Sequence, residues 1–285
     1  MRIEFNYREN ENLRRSFNEL AEKVFGLNFE NWYKNGFWKD NYIPYSIIED
    51  GKVVSNVSVN SCNMNYDGRI VKLIQLGTIM TDPDYRGKGY SRVLMELVIA
   101  DYKDKVDGIY LFANDSVLNF YHKFGFEIGR EYQYSKDVNN SCENQAVSVP
   151  MTGKEDWDRM VHIIMEKEQN SRFYMVENTG LYMFYLSQFM CENTFYIESC
   201  DSYVVAEIED DTLILHTVFG KGDLDHIVSA FGSKIKKVIL NFSPKNTNSF
   251  EKNELHEDDT TLFVMGKFFE KTKDDEFMFQ AITHA

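Results

Sequence analysis

The chain has 285 residues, a formal net charge of −14, and 43% hydrophobic and 15% aromatic residues. That is enough apolar material for one large or two ordinary domains with real cores, and four prolines with no low-complexity tract argue against long disordered linkers. The acidic balance disfavours nucleic acid, whose binding rests on cationic contacts to phosphate; it either steers a cationic acceptor toward the protein or simply keeps the chain in solution.

No run approaches the ~18 apolar residues of a membrane span, and the N-terminal segment lacks the apolar core of a secretion signal. A cytoplasmic protein with no membrane partner is expected. Cys62, Cys142, Cys191 and Cys200 show no paired spacing and read as free thiols. The six histidines are scattered, so no metal is expected.

In chain order, residues 10–26 read as an amphipathic helix with Leu13, Phe17, Leu20, Ala21, Val24 and Phe25 on one face. An aromatic stretch follows, from Phe29 through Trp32, Trp38 and Tyr42 to Tyr45. Residues 45–49 and 53–62 read as a hairpin about Asp50-Gly51. An apolar strand over 73–80 runs into a turn at Asp82-Pro83-Asp84, then Arg86-Gly87-Lys88-Gly89-Tyr90-Ser91, then a helix carrying Val93, Leu94, Leu97 and Val98. A glycine-rich loop at a helix start gathers unpaired N–H groups at the positive end of the helix dipole, which makes an anion site. Gly108 to Ala113 reads as a buried strand, Asn114-Asp115-Ser116 as a cap, residues 117–124 as a helix and Gly125 as its stop.

Beyond Gly129 the pattern weakens to a strand and loop over 131–143 and a joining strand at 148–152. A helix over 157–167 and an apolar helix over 181–190, LYMFYLSQFM, come next. Residues 203–208 and 212–219 read as a hairpin, followed by Gly220-Lys221-Gly222, a helix over 223–231 and strands at 237–242 and 261–266. Strand, glycine loop, helix and strand thus recur. The second loop lacks the basic spacing of the first, and Asp223 and Asp225 at its helix start would satisfy the N–H groups and repel an anion.

The loop from Arg86 to Ser91 resembles the first signature of the GNAT acetyltransferases, and NDSVLNFYHKFGFE, residues 114–127, resembles their second. Ser91 and Val117 depart from the usual small residues at their positions. The resemblance covers about residues 1–135. It implies an α/β (α+β) GNAT acyl-CoA N-acyltransferase fold with a mixed central sheet. With the repeated pattern it suggests a catalytic domain over 1–145 and a degenerate GNAT-like domain over 146–285 without a CoA loop, serving as scaffold, pocket wall or oligomerisation surface, which leaves room for a homodimer.

The resemblance implies acetyl-CoA as cosubstrate and a small-molecule amine as acceptor. The pyrophosphate would lie on the amides of Arg86, Gly87, Lys88, Gly89, Tyr90 and Ser91, and the pantetheine arm along Ile79, Met80 and Thr81. An amide of Ile79 or Met80 would polarise the thioester carbonyl, and Tyr121 would protonate the departing thiolate. Asn114 either bonds the pantetheine or caps its helix. The aromatic stretch, with Trp38 and Tyr42, either walls the acceptor pocket or is core.

The strand before the loop has no carboxylate where many GNAT enzymes carry a Glu. Gln75 stands there instead, able to hydrogen-bond an acceptor but not to take its proton. The base is then a water chain, Asp82 or Asp84, or the chain terminus. The end of the sequence, FMFQAITHA, is apolar where exposed tails are polar. It either packs as a terminal strand or enters the cleft as in two-domain relatives of the enhanced-intracellular-survival group, which use a terminal carboxylate. Ala285 and His284 are therefore candidate bases. Two rivals to the transferase of small amines stand: a noncatalytic acyl-CoA-binding regulator, and a transferase using protein lysine or a longer acyl group.

Overall fold

The computed structural model describes residues 1–284. The chain begins with β1 (Arg2–Phe5), α1 (Glu11–Phe25) and α2 (Glu30–Lys34). The side chain of Asn10 accepts the Leu13 amide at 3.2 Å to start α1, and Gly26, left-handed at φ 69°, ends it. Leu13, Phe17, Leu20 and Ala21 form its buried stripe, at the 3.6-residue spacing that the sequence carries. β2 (Tyr42–Glu49) and β3 (Lys52–Tyr66) make the expected hairpin, with Asp50 and Gly51 both at positive φ, as a tight two-residue turn requires.

β4 (Arg69–Thr81), α3 (Tyr90–Tyr102), β5 (Gly108–Ala113), α4 (Leu118–Tyr121) and β6 (Glu127–Ile128) follow. Two features of β4 prepare the site. Its register with β3 slips between Asn56 and Ser58, opposite Thr78. There Thr78 sits at φ 47°, a strained conformation for a β-branched residue. The bulge is held by Asn56, whose Nδ2 donates to the Thr78 carbonyl at 2.9 Å. On its other side β4 pairs in parallel with β5 only from Leu73 to Gln75. Beyond that point the strands part.

The remaining elements are β7 (Tyr132–Asp137), β8 (Val147–Ser148), α5 (Lys154–Glu166), β9 (Phe173–Val176), α6 (Thr179–Leu186), β10 (Thr194–Ile197), β11 (Ser202–Glu209), β12 (Thr212–Phe219), α7 (Leu224–Ser229), β13 (Lys237–Leu240), β14 (Glu251–Glu254), β15 (Thr261–Met265) and α8 (Lys267–Lys271). Two mixed sheets result. The first runs β1-β2-β3-β4-β5-β15-β6, with β9 also pairing β3; the second runs β14-β7-β13-β12-β11-β10-β8. This mixed α/β architecture, with two GNAT-like sheets, agrees with the fold expected from the sequence.

The halves exchange strands. β15, expected in the second unit, pairs with β5 over Thr261 to Met265 and separates β5 from β6. β7, the expected end of the first unit, lies between β13 and β14. A cut at 145/146 falls between β7 and β8, both in the second sheet. Alternating apolar residues mark a strand but carry no address for its partner.

One face of the first sheet packs on α3 and α4 through Ile74, Leu76, Leu94, Val98, Ile109 and Leu111. Its other face joins α1, α5, α6 and the chain's end in the largest core. A third core seats α7 on the second sheet. Among the described residues no helix is long and apolar enough to cross a membrane.

Candidate active site

Gly87 and Gly89 both take φ +78°, so only glycine fits the loop without strain. Gly89 is the N-cap of the 13-residue α3 and contributes no side-chain cap, which leaves the first helical amides for a ligand. Thr81 and Ser91 hydroxyls, 2.7 Å apart, pin the helix start to the end of β4. A cavity of about 310 Å³ opens here, lined by Thr81, Arg86, Gly87, Gly89, Tyr90 and Ser91 together with Phe120. Lys88 lies outside its lining: its ammonium packs over the Tyr85 ring at 4.3 Å. Asp82 caps the turn before the loop, accepting from the Asp84 amide and from Lys23 Nζ at 2.7 Å. Burial pushes its pKa up, but these bonds outweigh it and hold the carboxyl low, which suits an ion pair rather than a base.

A second cavity, of about 250 Å³, opens where β4 and β5 part. Gly77, Thr78, Ile79, Phe112, Asn114 and Tyr121 line it together with Phe29, Trp32, Tyr42, Phe184, Tyr185 and His284. Tyr42 and Thr78 hydroxyls meet at 2.6 Å. Tyr121 is 5% exposed and packs on Phe120 and Phe263. Burial pushes its pKa up to about 12, so it stays protonated at any physiological pH.

The end of the chain threads between the sheets. Phe279 stacks on Tyr110 with centroids 4.0 Å apart, and its amide donates to Glu131 Oε1 at 2.7 Å. Gln280 joins a buried network with Tyr182, Gln169 and Thr217. His284 then reaches the cleft, its ring stacked on Phe112 at 3.7 Å and its carbonyl accepting from the Tyr185 hydroxyl at 2.7 Å. Burial drives its pKa down to about 3, so the imidazole is neutral at pH 7 and a weak base. Ala285 lies outside the described residues.

The structure thus brings Ile79, Asn114, Tyr121, Tyr42 and His284 to one cleft, and Thr81 to the adjoining loop cavity with Arg86, Gly87, Gly89, Tyr90 and Ser91. It does not bring Trp38, Met80 or Gln75. Trp38 is core: 3% exposed, packed on Phe17 and Trp32, its Nε1 donating to the Tyr42 carbonyl at 3.0 Å. The Met80 side chain is 2% exposed in that same core, leaving only its backbone for the cleft. Gln75 is fully buried, paired with Asn60 of β3 on one side and Tyr110 of β5 on the other, and does not line the cleft. Both of its amide atoms lack a hydrogen-bond partner among the described residues.

The Asn114 side chain makes no cap bond to the helical turn that follows it: Nδ2 donates to Asp259 Oδ2 at 2.9 Å, and Asp259 also takes the Asp115 amide. Of the aromatic stretch read as wall or core, Phe29, Trp32 and Tyr42 line the cleft. Sequence reading missed Phe112 on the recognised strand β5, Phe184 and Tyr185, which α6 carries inward, and Asp259, which lies just before β15 and holds Asn114.

At the second loop, Asp223 caps α7 itself, accepting the Asp225 amide at 2.7 Å, and the helix is only six residues long. Among the described residues no cluster of His, Cys, Asp or Glu could hold a metal ion.

Residues 8–129 match the family model of the acetyltransferase (GNAT) domain. Solved structures share the whole fold. One is a conserved protein of Enterococcus faecalis V583 described as a probable N-acyltransferase: 14% identity, TM-score 0.64, covering 95% of this chain and 74% of that one. A GCN5-related N-acetyltransferase from Kribbella flavida has 16% identity and TM-score 0.57, covering 92% and 70%. Eis1 from Mycobacterium abscessus has 13% identity and TM-score 0.54, covering 92% and 72%. Comparison with curated protein sequences found no match.

Proposed function

Because residues 8–129 match the acetyltransferase (GNAT) domain model, we propose that this chain transfers an acetyl group from acetyl-CoA to the primary amine of a small molecule. The observation that carries this reading is the combination of an uncapped helix N-terminus with a splayed strand pair whose cleft Tyr121 lines. The amides from Arg86 to Ser91 take the pyrophosphate, and the free edge of β4 from Ile79 to Thr81 takes the pantetheine arm as an added strand would. An amide of Ile79 or Met80 polarises the thioester carbonyl.

The neutral amine attacks the carbonyl carbon, the C–S bond breaks, and the thiolate leaves as its charge meets the Tyr121 hydroxyl. Tyr121, protonated at working pH, gives its proton to the developing thiolate as the C–S bond breaks and regains one through water from the acetylated amine. His284, neutral, orients the amine through hydrogen bonding rather than acting as a strong base. The amine's proton leaves by water.

Calorimetry tests the cofactor site. Acetyl-CoA binds once per chain, because the second loop satisfies its own helix start with Asp223, and Gly89→Glu abolishes binding by setting a side chain and a negative charge at the phosphate. Two equivalent sites, or unchanged affinity in the variant, would remove the loop from the reading. One observation favours a noncatalytic acyl-CoA-binding protein: the cleft's described lining holds no group titrating near pH 7. Amine-dependent CoA release excludes that alternative.

A further inference from the structure

The transferase reading leaves the acceptor as any small amine; the walls of the cleft narrow it. Phe29 stacks on Phe184 at 5.3 Å and on Tyr42 at 6.0 Å. Trp32 stands edge-on to Tyr42 at 5.2 Å and to Phe184 at 5.5 Å, and Tyr185 is edge-on to Phe184 at 5.7 Å. The rings come from both halves of the chain and hold one another in place. Trp32 Nε1 donates to the Gly180 carbonyl at 2.8 Å, which ties the α2 wall to the α6 wall.

Among the described residues, none of Asp, Glu, Lys or Arg lines this cleft, although the chain as a whole carries a net charge of −14. The acidity of the molecule therefore lies elsewhere on its surface. A polycation entering here would shed water from several ammonium groups against hydrocarbon, which is strongly unfavourable. A single amine carrying a ring meets faces and edges suited to aromatic packing. An apolar wall also favours the neutral amine over the ammonium, and only the neutral form attacks. At about 250 Å³ the cavity is smaller than the ~300–1,000 Å³ that hold drug-sized ligands, which excludes a trisaccharide as a fully enclosed acceptor.

We propose that the acceptor is a compact aromatic monoamine, its ring held among Phe29, Trp32, Tyr42, Phe184 and Tyr185 and its amine directed toward Thr78 and Tyr121. This rests on the transferase reading above. The chemistry is that of the proposed function: an N–C bond forms, the C–S bond breaks, and one proton passes from the amine while sulfur takes one.

CoA release is measured with full-length protein and acetyl-CoA against phenethylamine, n-butylamine, spermidine and kanamycin, each over a range of concentrations. Phenethylamine is expected to exceed each of the others in kcat/KM by ten-fold or more. Phe184→Ala, at a half-buried ring that can be removed without emptying the main core, is expected to raise the phenethylamine KM ten-fold or more, with acetyl-CoA affinity within three-fold. Phe184→Leu recovers part of the loss. Preference for spermidine or kanamycin, or equal use of n-butylamine, overturns the proposal and leaves the transferase intact. A ten-fold preference for hexanoyl-CoA over acetyl-CoA, with no aromatic preference among amines, also overturns it, because the rings then hold the acyl chain. Acetyl-CoA binding with no CoA release for any amine overturns the transferase reading along with it.

Discussion

Tyr121 carries the sharpest prediction at the scale of single residues. Its ring packs between Phe120 and Phe263, and the residue lines the cleft with its hydroxyl unpaired among the described residues. Tyr121→Phe keeps the packing and removes only the donor. Turnover is expected to fall by ~10²–10⁴-fold, the usual worth of a general acid, with acetyl-CoA affinity within a few-fold by calorimetry. Wild-type turnover in the variant would assign the tyrosine to packing. This residue was legible because a short ordered motif surrounds it. Gln75 and Trp38 show where reading by position ends. Gln75 lies on the strand that leads to the loop and Trp38 in the aromatic stretch, yet both side chains are buried and neither lines the cleft. Which side of a wall a side chain takes is decided by its neighbours in space.

At the scale of elements, α6 determines whether the cleft is closed. Its start is capped by Asn178, which accepts the Leu181 amide at 3.2 Å and also donates to Asn60 and to the Ser61 carbonyl. Its second residue, Gly180, lies so close to the loop between α2 and β2 that an added Cβ would stand 2.3 Å from the Phe37 carbonyl oxygen. Neither backbone can give without moving the helix. Gly180→Ala is therefore expected to cost about 1–3 kcal/mol, the range for overpacking, read as a lower urea midpoint. Since Phe184 and Tyr185 move with the helix, KM for the amine should rise more than the acetyl-CoA dissociation constant. An unchanged midpoint and unchanged KM would show that α6 tolerates displacement. The helix itself was legible from its apolar run, though it starts two residues earlier than expected and ends at Leu186, where a tight turn carries the chain to Met190. Its role as a wall was not, since nothing local says which cleft an apolar helix covers.

Across the whole molecule, Glu131 and the terminal segment bind the two sheets together. Glu131 is buried, its Oε1 holds the Phe279 amide, and its backbone carbonyl accepts the Leu255 amide. Burial pushes its pKa up from 4.5 to about 8, partly offset by the Phe279 amide, with Glu257 adding to the rise. A carboxyl raised on folding holds its proton more tightly in the folded state. Its contribution to stability is complete below pH 4.5 and is lost as pH climbs through about 8. Unfolding free energy should therefore decline between about pH 5 and 8.5, by at most ~1.4 kcal/mol per pH unit from this one proton. Glu131→Gln, which keeps an acceptor for Phe279 and cannot ionise, should flatten that decline. Parallel pH profiles for the two proteins would assign the titration elsewhere.

Local information alone determined the glycine loop at the start of α3, the helix stripes, the hairpin turns, Tyr121's motif and the self-capped start of α7. Each depends on residues within one or two turns of one another: Gly87 and Gly89 at positive φ, Asn10 and Asp223 as caps, Leu13 and Phe17 at helical spacing. The apolar end of the sequence correctly signalled docking as well. Only the tertiary structure decided the partners of β7 and β15, the burial of Gln75 away from the cleft lining and the meeting of Trp32, Phe184 and His284 around one cavity. A strand's alternation says which face is buried but not which edge it joins, and an aromatic residue is equally apolar as core or as wall. Those choices are settled by competition among distant segments for the same buried surface, and no short stretch of sequence contains that competition.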